Sequence, residues 1–291
     1  MNHPLASLPW GAWIGAYIVL TGLASGLTLV TRFLRPADER AAARLEWISS
    51  WIALACLGIC TVILIWDLGR PARFFLMVAQ FANAGSLMSW GAKVIALKVG
   101  LLVLYLMLLQ RRRQALANGD ALLTGRATQA VYAIVPEALV LVSFALAIYP
   151  AFLLSWTWSS PAAHNAGAAL IYLFSAGILG AATTGLVIMF TPELADPALA
   201  TRMRSSLVRM LAGHSVALGF VALSLRGNET GGVYDGLWRG EWACGVWLLV
   251  VAVVASVVLS APAFGARGRI ALSASALVAA AAGRYLIFAV H

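Results

Sequence analysis

Eight apolar stretches of roughly twenty residues run through this chain, at residues 10–34, 47–68, 88–109, 127–156, 165–190, 205–225, 242–261 and 270–290. At about 1.5 Å per residue, a helix of this length crosses the roughly 30 Å hydrocarbon core of a bilayer. Inside lipid every backbone N–H and C=O must be bonded within the protein, which leaves only helices and closed barrels. A barrel strand would alternate apolar and polar residues, and none of the eight stretches does. The expected fold is therefore an all-α integral membrane protein of eight transmembrane helices, arranged as two packed four-helix bundles in a single domain over residues 1–291. With 62% hydrophobic and only 11% charged residues, the chain lies outside the range of soluble domains. The residues before Trp10 lack a basic region, so the first stretch is expected to be retained rather than cleaved as a signal.

Arginine placement sets the expected orientation. Connections after the odd-numbered stretches carry Arg35, Arg40 and Arg44, then Arg111, Arg112, Arg113 and Arg126, then Arg202 and Arg204, then Arg267 and Arg269; the other side has Arg70, Arg73, Arg226 and Arg239. By the positive-inside rule the first set is cytoplasmic and both termini are extracytoplasmic. The net charge of +9 then anchors the chain to anionic lipid and does not imply nucleic-acid binding. Small residues at helix-contact spacing, Gly22, Ser25 and Gly26 in the first stretch and Gly177, Gly180 and Ala181 in the fifth, read as close-packing positions.

Ionisable residues inside apolar stretches are costly and mark function or pairing. Lys98 lies about ten residues into the third stretch and Glu137 about twelve before Tyr149, so both should sit roughly 15–18 Å below the outer face. Similar depth predicts a Lys98–Glu137 ion pair. It would either neutralise two charges within the bundle or, with His214 near the middle of the sixth stretch, relay protons. His214 is the one histidine well inside a stretch, and Cys56, Cys60 and Cys244 lack the clustering of metal ligands; neither haem nor an iron–sulfur cluster is expected within this chain.

The second and third stretches are joined by an unusual polar connection. Asp67-Leu68-Gly69-Arg70-Pro71 closes the second, and Ser86-Leu87-Met88-Ser89-Trp90-Gly91 opens the third. Further on come Ile148-Tyr149-Pro150-Ala151, Pro161 and Asn165, and finally Gly283-Arg284-Tyr285-Leu286. Together these resemble the signature segments of the polysulfide-reductase-type (NrfD/PsrC) membrane subunits. The resemblance implies a quinone-binding anchor in the inner (cytoplasmic) membrane of a bacterium. It would exchange electrons between membrane menaquinone or ubiquinone and a ferredoxin-like iron–sulfur subunit, itself attached to a molybdopterin catalytic subunit.

On that resemblance Tyr149 contacts the quinone head group. Asp67 and Arg70 form a polar rim, with Trp13 and Tyr17 from the first helix and His164 and Asn165 after the fourth. The sequence departs from the family at the start of the first helix, where Ile14 and Tyr17 stand in place of an asparagine and a histidine; Tyr17 retains a hydrogen-bonding hydroxyl and Ile14 does not. Two other readings fit an eight-span bundle. A secondary transporter or proton channel would use the mid-depth charges, but such folds carry Gly/Pro-broken helices in repeated halves. An inert anchor would have no use for Tyr149 or the polar rim.

Overall fold

The computed structural model describes residues 12–67, 87–118, 126–156, 162, 165–194, 196–226, 235, 237–240, 243–260 and 266–289. Among the described residues eight long α-helices follow one another: α1 Ala12–Phe33, α2 Glu39–Asp67, α3 Leu87–Asn118, α4 Arg126–Trp156, α5 Ala166–Phe190, α6 Pro197–Ser224, α7 Ala243–Leu259 and α8 Ala266–Ala289. Seven are long and apolar enough to cross a membrane; α7, at 17 residues, is the shorter apolar one. It spans about 26 Å, a little less than a typical hydrocarbon core.

Several helices begin earlier than their apolar stretches. Asp38 caps α2, its carboxylate accepting from the Ala41 amide at 2.7 Å. Asp196 caps α6 in the same way through Ala198, with Pro197 in the first turn. Arg40, Arg44, Arg202 and Arg204 therefore lie on helices and not in loops. Hydropathy marks where lipid begins, whereas a cap marks where hydrogen bonding begins, and here the two differ by about two turns.

α1 to α4 pack in a ring, each against the next and α4 back against α1; α5 to α8 form a second ring in which α6 and α7 touch least. The rings join along α1 and α5, whose seam is among the most extensive in the molecule. It closes at Gly26 and Gly180, where a methyl on either residue would overlap the other helix's backbone.

Ion pairs gather at the arginine-rich end. Arg35 and Arg112 hold both Glu39 and Glu46, Arg44 holds Glu193 at 2.9 Å, and Arg32 holds Glu137. These contacts put the end of α1, the start of α2, the end of α3 and the α5–α6 connection at one face.

Candidate functional site

At the opposite end the first bundle narrows around two tyrosines. Tyr17, five residues into α1, is buried, and the Tyr149 phenol of α4 and the Cys60 thiol of α2 lie within electrostatic range of it. Cys60 Sγ lies 3.8 Å from the Tyr17 carbonyl. Gly91 of α3 faces the Tyr149 phenol, and any Cβ there would overlap the ring. All four helices thus contribute to one locus. Pro150 does not end α4, which continues to Trp156, so Tyr149 sits about 10 Å below the helix terminus.

Behind the tyrosines lies Arg284 of α8, a residue noted in the sequence only as part of a motif. It is completely buried. Nη1 donates to the Ile18 carbonyl (2.7 Å), Nη2 to the carbonyls of Tyr172 (2.6 Å) and Ala147 (3.3 Å), and Nε to Ser175 Oγ (2.7 Å). The guanidinium also lies 5.0 Å from the Tyr172 ring centroid. A planar fork of five donors suits such a set of acceptors. One side chain on α8 thereby ties α1, α4 and α5. Its grips on Ile18 and Ala147 fall one and two residues from Tyr17 and Tyr149. Gly22 provides the space it fills.

Lys98 is also fully buried, about 16 Å into α3. The expected ion pair with Glu137 does not form. Lys98 Nζ donates to Ser143 Oγ (2.8 Å), Ala24 O (3.2 Å) and Ser25 Oγ (3.4 Å), while Glu137 is exposed and paired with Arg32. The cause is the extension of α4 through Pro150. Lys98 is level with Ser143, and Glu137 lies six residues, about 9 Å, further down α4.

The buried carboxylate among the described residues of this bundle is Glu46, one residue before the second apolar stretch. It accepts from the Tyr105 hydroxyl at 3.0 Å and pairs with Arg35 at 3.3 Å. Beside it is a cavity of about 20 Å³ lined by Thr28, Thr31, Ser49, Ser50 and Tyr105. That is room for one water, and the buried Ser49 hydroxyl has no protein partner there.

The other expected site residues scatter. His214 is buried in the second bundle, its imidazole against Gly283. Asn165 caps α5 through the Gly167 amide (2.7 Å) and donates to Ser224 Oγ (2.5 Å), so both ends of its amide are engaged in structure. Trp13 is 61% exposed and faces outward, as an interfacial-belt residue does. Asp67 ends α2, but its side chain, with Arg70 and His164, lies outside the described residues.

Among the described residues the chain is a multi-pass helical bundle with two phenols near one end, Tyr17 buried and Tyr149 partly exposed, the architecture of a membrane-embedded protein. The polysulphide reductase NrfD family model matches residues 2–290, and the chain belongs to that family. Its members are membrane subunits of oxidoreductase complexes. No curated protein matches the chain.

Proposed function

We propose that this subunit exchanges electrons between the membrane quinone pool and an iron–sulfur partner, binding the quinone between α1 and α4. The observation that carries this reading is the convergence of Tyr17 and Tyr149, held from behind by Arg284 through the adjacent carbonyls. A quinone head group needs hydrogen-bond donors to its carbonyls within otherwise apolar walls, and two phenols among Ile14, Cys60 and Gly91 fit that need. When bound, the quinone supplies two-electron, two-proton redox chemistry. The protein orients it, excludes water and delivers protons.

For delivery, Glu46 and Lys98 replace the Glu137–Lys98–His214 line expected from the sequence. Glu46 sits at the arginine-rich end beside Tyr105 and the water-sized cavity. Leu139 lines that cavity and accepts from Ser143, which in turn accepts from Lys98. The cavity, with room for one water, thus extends from Glu46 toward the Ser143–Lys98 pair, two turns of α1 from Tyr17. The electron partner in this reading is a ferredoxin-like subunit bearing a molybdopterin oxidoreductase, which membership of the family supports.

The test is Tyr149→Phe in the assembled complex. Deleting one hydroxyl leaves a quinone carbonyl unpaired, costing roughly 1–3 kcal/mol, so quinone-linked turnover should fall about 5- to 150-fold with assembly unchanged. Normal turnover would rule out this site.

A further inference from the structure

At the arginine-rich end of the second bundle, α5, α6 and α8 part to leave a cavity of about 360 Å³. Its base is apolar, formed by Gly185 and Ile188 of α5, Met203 and Leu207 of α6 and Leu272 of α8. Its mouth carries Arg204 and Arg269. Neither arginine pairs with a carboxylate among the described residues, whereas Arg32, Arg35, Arg44 and Arg112 at the same end all do. Asp196 also borders the mouth, but its carboxylate serves as the α6 cap through the Ala198 amide. The site therefore has two uncommitted guanidiniums over a greasy slot, within the size range of small-molecule sites.

We propose that this cleft binds an anionic phospholipid, its phosphodiester between Arg204 and Arg269 and part of an acyl chain in the slot. Three features select that class. Guanidiniums form paired N–H···O bonds with phosphate oxygens. An apolar slot does not stably hold water, and in a bilayer the apolar groups at hand are lipid chains. A zwitterionic lipid would bring a cationic choline or ammonium beside two arginines, so a net negative head group is preferred; basic pockets between helices at this depth bind such lipids. The inference is independent of the quinone reading, because α5, α6 and α8 surround it and neither Tyr17 nor Tyr149 does.

The test uses the full chain, delipidated in detergent and examined by native mass spectrometry with dioctanoyl phosphatidylglycerol or dioctanoyl phosphatidylcholine. One phosphatidylglycerol should bind in preference to phosphatidylcholine. The double variant Arg204→Gln/Arg269→Gln should weaken phosphatidylglycerol binding about 30-fold, with phosphatidylcholine binding little changed. Gly185→Leu, which fills the slot, should weaken both lipids. Millimolar inorganic phosphate should fail to displace the lipid, since it has no chain to fill the slot. Equal binding of the two lipids, wild-type affinity in the double arginine variant, displacement by phosphate, or retention of a quinone in place of the phospholipid would each overturn the assignment.

Discussion

Replacing Gly26 with alanine should be among the most damaging single-methyl changes available in this protein. A Cβ on Gly26 would stand 2.7 Å from the Ala176 carbonyl carbon and 2.9 Å from the Gly180 amide nitrogen, with the Ala176 oxygen nearer still. Ordinary contact between such atoms is about 3.5–4.0 Å, so α1 and α5 must separate by more than about 1 Å. All of these neighbours are backbone, and no side chain can swing aside. A gap of 0.5–1 Å forfeits about a quarter to a half of the dispersion well for every pair across the seam. Overpacking alone typically costs 1–3 kcal/mol. The seam also carries the Arg284 bonds to Ile18 on one side and Tyr172 on the other, which the same movement stretches. The loss should total about 4 kcal/mol, at the upper end for point mutants.

Unfolding in mixed detergent–SDS micelles measures that loss. Gly180→Ala should cost a similar amount, and the double variant should cost less than the sum, because the first methyl has already parted the helices. Gly58→Ala is the control: no described atom lies within 4 Å of its added methyl, so it should be neutral or, through helix propensity, stabilise slightly. A Gly26→Ala protein within about 0.5 kcal/mol of the wild type would refute the reasoning.

Arg284→Lys keeps the charge but loses the fork; with charge-assisted bonds at about twice the 0.6 kcal/mol typical of bilayer hydrogen bonds, stability should fall by about 2–4 kcal/mol and quinone affinity with it, read by the same titration and by quinone binding. Glu46→Gln should slow quinone-linked turnover and proton uptake in vesicles, whereas Glu137→Gln, which breaks an exposed pair with Arg32, should cost less than about 1 kcal/mol and leave turnover intact; equal effects would remove Glu46 from the proton path. A reporter fused after His291 should read as extracytoplasmic and one inserted at Arg112 as cytoplasmic, and the reverse result would move the tyrosine site to the cytoplasmic side.

Apolar length alone made the helical, multi-pass fold legible, because lipid leaves a chain few alternatives. Tyr149 is singled out through the family resemblance and Tyr17 as a hydroxyl near the start of the first helix; that their helices adjoin emerges only from the fold. Pairings were harder. Lys98 reads clearly as a buried charge, yet its partners depend on where α4 stops, and a proline inside an apolar run does not reveal whether the helix ends or merely bends. Glu46 escaped notice because it directly precedes Trp47, where hydropathy rises, although the hydrogen-bonded helix had begun at Glu39. Arg284 offered a usable signal: a lone arginine in the last apolar run, in a chain whose first helix carries glycine at position 22. What no single sequence discloses is that these two positions meet.

Arg284 and the Ile18 carbonyl it grasps are 266 residues apart. A ribosome adding roughly 5–20 residues per second needs about 15–50 s to make the second after the first. Until α8 is made, the earlier helices stand in the bilayer without the guanidinium that will fasten them, and the space beside Gly22 is unfilled. The final helix acts as a completion mark. Without α8 the tyrosine locus lacks its brace, and the space beside Gly22 lacks the guanidinium that fills it.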